Sequence, residues 1–363
     1  MSKRGLNIYK RKDGRWEGRY PKGRKENKTL YYGYIYGESY KEVKEKIIRQ
    51  RADDQFDIGV TAYYGTISEW FEFWLRHHIA SGVKQSTYAS YYHKLHTYVF
   101  PVIGHRKLVK LTQQDMEDWV KNIEGILSPS SIRVIFRLVQ SGLEMAKKQH
   151  YRVDNPCEGC HLPKVEASKT KALSRVQQQK LVKVSLDSKK GFPILLALET
   201  GMRIGEVCGL KWEDINFEEG YLSVQRTRQR IIKKAGTGTF ITENSPKTSH
   251  SQRVIPLSAT LLLSLKKRYV ASSCSYVMEL GGRPLEPRAV DRHFKEIISQ
   301  FGWTGISFHS LRHTFATRCV EMGVNIAAVS ALMGHSSIKT TLDIYTTTFF
   351  SEKQAAIQQI TSF

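Results

Sequence analysis

Six side chains in the second half of this chain share one chemical theme. Arg203 lies in "TGMRIGEVCGLKWEDI", Lys247 in "SPKTSHSQRVIPL", His309 and Arg312 in "FHSLRHTFAT", His335 in "LMGHSS" and Tyr345 in "LDIYT". Attack on a phosphodiester needs such types. Two guanidiniums can clamp the non-bridging oxygens and balance the charge developing on phosphorus. A histidine can take a phenolic proton or donate to an oxygen. A lysine on a turn can swing toward a departing 5′-oxygen and protonate it. A phenol, with a pKa of about 10, is a nucleophile only once its proton is removed or its anion stabilised. No carboxylate cluster of metal-binding type and no GxxxxGK[ST] accompanies the set. The chemistry indicated is transfer without metal, cofactor or ATP, with the bond energy kept in a tyrosyl phosphate.

Each residue also has a plainer reading. Arg203 would open a helix, where a cation opposes the macrodipole, and Glu206 three residues on would make it a surface ion pair. The arginine becomes favourable if an anion sits where its guanidinium and the free backbone N–H groups converge. Lys247 reads as a solvated turn residue, with Lys233 and Lys234 nearby in sequence. Tyr345 follows Ile338 and Leu342 at helical spacing, after Ser337 as a cap, so pattern alone makes it one packed ring among 18 tyrosines. The combination, and no single member, carries the chemical reading. His313, next to Arg312, reads as structural.

The elements that must position these groups are legible as patterns. "GFPILLALETG" is a buried helix stopped by Gly201 in a positive-φ cap. The alternation in residues 220–257 gives two or three antiparallel strands, with a hairpin inserted around residues 235–238 ahead of Lys247. His309 and Arg312 share a helical face, in a helix ended by Gly323. A short apolar helix follows, capped by Asn325 and ended by Gly334. The last 18 residues, "TTTFFSEKQAAIQQITSF", form an amphipathic tail.

Upstream, "NIYKRKDGRWEGRY" is a hairpin turning at Asp13-Gly14, "TLYYGYIYG" a third strand, and "ESYKEVKEKIIRQRA" a helix with Ser39 as cap. Residues 1–50 hold 15 Lys and Arg against 6 Asp and Glu, with seven tyrosines interleaved. A narrow twisted sheet carrying Lys10, Arg11, Lys12, Arg15 and Arg19 suits phosphates and base edges of a major groove; a solvated basic surface is the bland alternative. Residues 64–150 read as four helices. Thr66-x-x-Glu69 is a capping box before Ile67, Trp70, Phe71, Trp74 and Leu75. Ser86 caps a second helix that stops at Pro101, Thr112-x-x-Asp115 opens a third, and Ser128-Pro129 opens a fourth. Lys84, Ser86, Thr87 and Lys94 lie between the apolar faces as candidate DNA contacts. Cys157-x-x-Cys160, with His150 and His161 near, offers a zinc knuckle or a plain turn after Asn155-Pro156; the turn is the reading taken.

Composition narrows the partners. The chain has 363 residues, 40% of them hydrophobic, and a formal net charge of +22. Such charge selects a polyanion, double-stranded DNA foremost, and no basic amphipathic helix favours a membrane. The N-terminus lacks a signal-peptide h-region, no apolar run spans a bilayer, and five cysteines, an odd number, suit a reducing cytoplasm.

"TGMRIGEVCGLKWEDI", "HSLRHTFAT", "LMGHSSIKTTLDIY" and the lysine of "PKTSHSQRVIPL" together resemble the signature boxes of the tyrosine recombinases, the phage integrase family. The resemblance runs by motif over residues 172–346. By layout it extends to residues 1–160, as in integrases of conjugative transposons and temperate phages. It implies a multidomain, mainly α chain. Residues 1–60 would be a three-stranded sheet plus helix that binds arm-type DNA, and 64–160 a SAM-like helical bundle that binds core DNA. Residues 161–173 would be a linker and 174–363 a mixed α+β catalytic domain with a tail helix. It further implies that Arg203 and Arg312 clamp the scissile phosphate, Lys247 is the general acid, and His309 and His335 assist. Tyr345 would form a 3′-phosphotyrosine, and Glu206 would support Arg203 from behind. Four subunits would exchange strands through a Holliday junction, docked by their tails, in the bacterial cytoplasm on the nucleoid, with excisionase and host DNA-bending proteins as accessories. Two other readings use the same residues: a DNA-binding regulator that does no chemistry, and a relaxing topoisomerase of type IB character. The intact set argues against the first and the basic N-terminal module against the second.

Overall fold

The computed structural model describes residues 7–24, 30–53, 65–165, 172–188, 190–232, 238–244, 252–335 and 342. Lys247 and Tyr345 lie outside the described residues, as do Lys233, Lys234, Ser337, Ile338 and the tail. The chain divides into two compact units, Met1–Glu166 and Ala167–Phe363. It is mainly helical with small sheets, as the pattern predicts.

The first unit begins with an antiparallel sheet of β1 (Ile8–Lys10), β2 (Trp16–Arg24) and β3 (Leu30–Gly37), followed by α1 (Tyr40–Asp53). Gly14 takes φ +85° at the first turn, and Lys10 pairs with Trp16 across it. Alternation then sorts the side chains. Tyr20 and Ile35 face Val43 and Ile47 of α1 in a small core with Ile8 and Trp16, which leaves Tyr9, Arg19, Tyr34 and Tyr36 on the open face. Ser39 caps α1 by accepting from the Glu42 N–H at 3.2 Å.

The helices follow as α2 (Ile67–Trp74), α3 (Gln85–Lys94), α4 (Phe100–Ile103), α5 (Gln113–Ile123) and α6 (Pro129–Lys148). Both bonds of the capping boxes at Thr66 and Thr112 are formed, and Ser128 caps α6 ahead of Pro129. Trp70, Trp74 and Trp119 are buried at the centre, and the Trp70 indole N–H donates to the Gly142 carbonyl at 3.0 Å. Two expectations change here. Lys84, not Ser86, holds the N-cap position of α3, without a side-chain capping bond, and Ser86 sits in the first turn. The helical path also does not stop at Pro101. It widens into a π-type turn over Leu95–Val99 and re-forms as α4, where Pro101 occupies a first-turn position that needs no N–H donor.

Residues 156–159 form a turn, as read, and Cys157 packs into the helical core. Burial pushes its thiol pKa well above the ordinary range, Cys160 adding to the effect. His161 points to solvent with its side chain 97% exposed. Among the described residues no three His, Cys, Asp or Glu side chains gather as metal ligands, and no helix is long and apolar enough to cross a membrane.

The second unit contains α7 (Arg175–Asp187), α8 (Phe192–Thr200), α9 (Ile204–Gly209), β4 (Ile215–Asn216), β5 (Tyr221–Val224), β6 (Thr227–Ile232), β7 (Thr239–Asn244), β8 (Arg253–Pro256), α10 (Ala259–Ala271), β9 (Glu279–Leu280), β10 (Arg283–Pro284), α11 (Pro287–Gln300), α12 (Phe308–Glu321) and α13 (Ile326–Met333). β4, β5 and β8 make one antiparallel sheet, and β6 with β7 a separate hairpin. That hairpin is the inserted strand pair expected ahead of Lys247. Its register runs from Thr227 opposite Asn244 to Ile232 opposite Thr239. The hairpin lies against α9 at Gly205, where a Cβ would come within 2.5 Å of Thr227 Oγ1 and 2.9 Å of the Arg228 carbonyl. α8 is buried on nearly every side and packs on α12, with Leu196, Ala197, Leu311 and Phe294 in one core.

Candidate active site

The site is assembled where three helix ends meet. α8 stops at Gly201, whose left-handed backbone (φ +66°) turns the chain so that Met202 is buried and Arg203 becomes the N-cap of α9. Glu206 folds back over that turn. One carboxylate oxygen accepts the Arg203 backbone N–H at 2.9 Å, and the other accepts Arg203 Nη1 at 2.8 Å. This resolves the unfavourable placement of an arginine at a helix N-terminus: the carboxylate sits on the positive end of the dipole and holds the cation beside it. Arg203 keeps 39% of its side chain exposed, so it still presents a face outward.

Arg312 comes from the second turn of α12 and is almost fully buried. Its Nη1 donates to the Gly201 carbonyl at 2.7 Å, and its Nη2 to the Met333 carbonyl at the end of α13. A buried guanidinium with its donors on backbone oxygens is oriented rather than merely present. Burial, and then Arg203, lowers its pKa to about 9, so it remains charged at neutral pH. His309, one turn earlier on α12, is exposed. Partial desolvation and the charges of Arg312 and Arg203 lower its affinity for a proton.

α13 ends at Gly334 in the left-handed region, and His335 follows, its backbone N–H bonded to the Ser330 carbonyl at 3.1 Å. The His335 imidazole is half-buried, and its pKa falls to about 4, first by burial and then through Arg312, Arg203, Arg253 and His309. Arg203, His309, Arg312 and His335 are therefore within electrostatic reach of one another. His313 is half-buried, and burial alone lowers its pKa.

One participant escaped the sequence reading. Arg253, the first residue of β8, is 95% buried in its side chain: it donates from Nη2 to Glu206 at 2.9 Å and from Nε to the Leu332 carbonyl at 2.6 Å. Burial works to raise the Glu206 pKa, but Arg253 and Arg203 outweigh it and keep the carboxylate ionised. A period-two signal was available, because Arg253 shares the inward side of β8 with the buried Ile255. An arginine at an inward strand position needs an anionic partner.

The N-terminal candidates fall into two kinds. Lys10 and Lys12 are exposed and Arg19 stacks over Tyr32 with 3.8 Å to the ring centroid, whereas Arg11 is tied to Glu17 and Asp13 and Arg15 to Asp13. In the helical part, Lys84, Ser86 and Thr87 cluster at the start of α3. Lys94 ends the helix with its ammonium on Ser90 Oγ at 2.8 Å.

The chain is similar to known proteins over most of its length. Residues 171–352, half of the chain, match the model of the phage integrase family, and residues 66–123 match its N-terminal SAM-like domain. A tyrosine recombinase XerC-like protein of Caldanaerobacter subterraneus is 27% identical over 93% of each chain. Tyrosine recombinase XerA of Pyrococcus horikoshii is 31% identical over 63% of this chain and 74% of its own. The fold is similar to that of a fragment of the Tn1549 transposon integrase, solved with a circular intermediate DNA (TM-score 0.70, 20% identity, 82% of this chain and 99% of the fragment). It is similar also to lambda integrase, solved as a tetramer on a Holliday junction (TM-score 0.63, 19% identity, 91% and 96%). Fold and family together define a tyrosine-type site-specific recombinase, a DNA strand transferase. The chain belongs to the phage integrase family.

Proposed function

We propose that this protein is the integrase of a mobile element, cleaving and rejoining DNA through a 3′-phosphotyrosine on Tyr345 and passing through a Holliday junction. The observation that carries the reading is the convergence of Arg203 and Arg312 with His309 and His335 at the meeting of α8, α9, α12 and α13. Guanidiniums gathered at a helix N-terminus invite a phosphate, and neutral imidazoles beside them can take or give a proton there. Arg203 and Arg312 would hold the non-bridging oxygens. His309 or His335 would accept the phenolic proton as Tyr345 attacks phosphorus. Lys247, which lies between β7 and β8 in sequence, would protonate the departing 5′-oxygen. The bond broken is P–O5′ and the bond formed is P–Oη, so no external energy source is needed, and the residue set needs no metal.

The partner is double-stranded DNA. The open face of the β1–β3 sheet and its first turn would take an arm site through Lys10, Arg11, Lys12, Arg15 and Arg19. Lys84, Ser86, Thr87 and Lys94 would meet the core site. Four copies would assemble on DNA through the tail beyond Tyr345, with excisionase and DNA-bending proteins as accessories, in a bacterial cytoplasm.

The test offers the full chain a supercoiled plasmid pool carrying randomised inserts, in the presence of EDTA, and stops the reaction with detergent. Protein joined to a DNA 3′-end is expected for the parent chain and not for Tyr345→Phe. An adduct persisting in the Phe variant, or one formed only when magnesium is restored, contradicts the reading.

A further inference from the structure

Two neighbouring carbonyls at the end of α13 are held by two different arginines. Arg312 holds the oxygen of Met333, and Arg253 that of Leu332. These arginines come from α12 and β8, and Arg253 uses a second nitrogen, Nη2, to bind Glu206, which in turn holds both the backbone and the guanidinium of Arg203. A continuous path therefore runs from Arg203 through Glu206 and Arg253 to the last turn of α13, two residues before Gly334 and three before His335. Cations at that helix end also meet the negative pole of its dipole. The Arg253 charge is already paired with the Glu206 carboxylate, whereas the Arg312 donors rest on neutral backbone carbonyls.

We propose that Arg253 is a positioning residue of strand transfer: it sets Arg203 and His335 relative to one another, through Glu206 and the Leu332 carbonyl, without touching the phosphate. The inference rests on the phosphotyrosine reading above. Arg253 spans two directions at once with a planar fork, which a lysine ammonium on a flexible stem does not reproduce. A misplacement near 1 Å in such a frame costs on the order of a hundredfold in rate.

The experiment compares Arg253→Lys and Arg253→Gln with the parent, using a duplex recovered from the parent's covalent adducts. Three quantities are read: adduct formation rate, equilibrium binding of the same duplex, and melting temperature. A positioning role predicts adduct formation slowed on the order of a hundredfold, with duplex binding and melting temperature near the parent values. Parent-like rates in a folded variant overturn it. So does a loss of DNA binding in proportion to the loss of rate, which would give Arg253 a direct contact. If both variants unfold, a crystal structure of the parent with orthovanadate decides: Arg253 must remain on Glu206 and Leu332, and a contact to vanadate overturns the proposal. A parent that forms no adduct at all would instead refute the phosphotyrosine reading, which separates the two failures.

Discussion

The guanidinium of Arg312 donates at 2.7 Å to the backbone oxygen of Gly201, joining positions 111 residues apart in sequence. Gly201 is also the left-handed stop of α8, two residues before Arg203, so the turn that delivers one arginine is anchored by the other. This makes Gly201→Ala a sharp probe. An alanine Cβ would be strained at φ +66° and would lie 2.6 Å from Phe315 Cδ1 and 3.0 Å from the Met333 sulfur. A loss of about 1–3 kcal/mol in unfolding free energy is expected from strain and overpacking. Chemical denaturation measures it. An unchanged midpoint would mean the turn is more adaptable than its contacts imply.

The His335 imidazole supplies a pH signature. Its pKa in the folded chain is about 4, below the ordinary value near 6.5. Between those values the unfolded chain binds a proton that the folded chain refuses, so stability rises with pH across that window and levels off above it. Acidification from pH 7 to pH 5 should therefore lower the denaturant midpoint, with His309 and His313 acting in the same direction. His335→Asn should lose part of that dependence. An identical pH response in parent and variant would show that His335 does not contribute to it.

How much of this was legible in the sequence differs by element. Capping boxes at Thr66 and Thr112 and the stops at Gly201 and Gly334 are local chemistry, and each stands where the pattern put it. The helical path past Lys94 escapes the pattern because Pro101 signals an end, whereas a first-turn position tolerates it and the π-type turn at Leu95–Val99 has no sequence mark. In the site, Arg203 and Glu206 were visible as an i, i+3 pair. Arg253 was hidden because its partners, Glu206 and Leu332, lie 47 and 79 residues away, and no local rule pairs residues across such distances. The buried state of Arg312 was equally unreadable, since its partners are backbone oxygens brought to it only in the folded chain.

The general acid can be assigned among Lys233, Lys234 and Lys247 by chemistry alone. If Lys247 protonates the 5′-oxygen, Lys247→Ala should slow cleavage of an ordinary duplex strongly, by the factor of about a hundred to ten thousand typical of general acid catalysis. A 5′-bridging sulfur in place of that oxygen gives a leaving group that needs no proton, so the variant should cleave it nearly as fast as the parent. Lys233→Ala and Lys234→Ala should behave as the parent on both substrates. Restoration by sulfur in either of those variants, with none in Lys247→Ala, would move the role.

Arg19 tests the open face of the N-terminal sheet. Its guanidinium carbon lies over Tyr32, 3.8 Å from the ring centroid, and 6.0 Å from that of Tyr34. Arg11 and Arg15, by contrast, have carboxylates as partners at Asp13 and Glu17. A stacked guanidinium keeps its N–H edge available while the rings fix its plane, the arrangement that suits a base edge or a phosphate better than a mobile lysine does. Arg19→Ala should therefore weaken duplex binding by the full chain more than Arg15→Ala does. The salt dependence separates the two kinds of contact. If Arg19 meets a phosphate, the variant's slope of log affinity against log salt should be shallower by about one. If it reads a base, the slope should hold while discrimination among sequences falls by about 1–3 kcal/mol. Binding by Arg19→Ala that equals the parent in affinity, slope and discrimination would remove this face from DNA recognition, and the tyrosines beneath Arg19 would then be ordinary sheet packing.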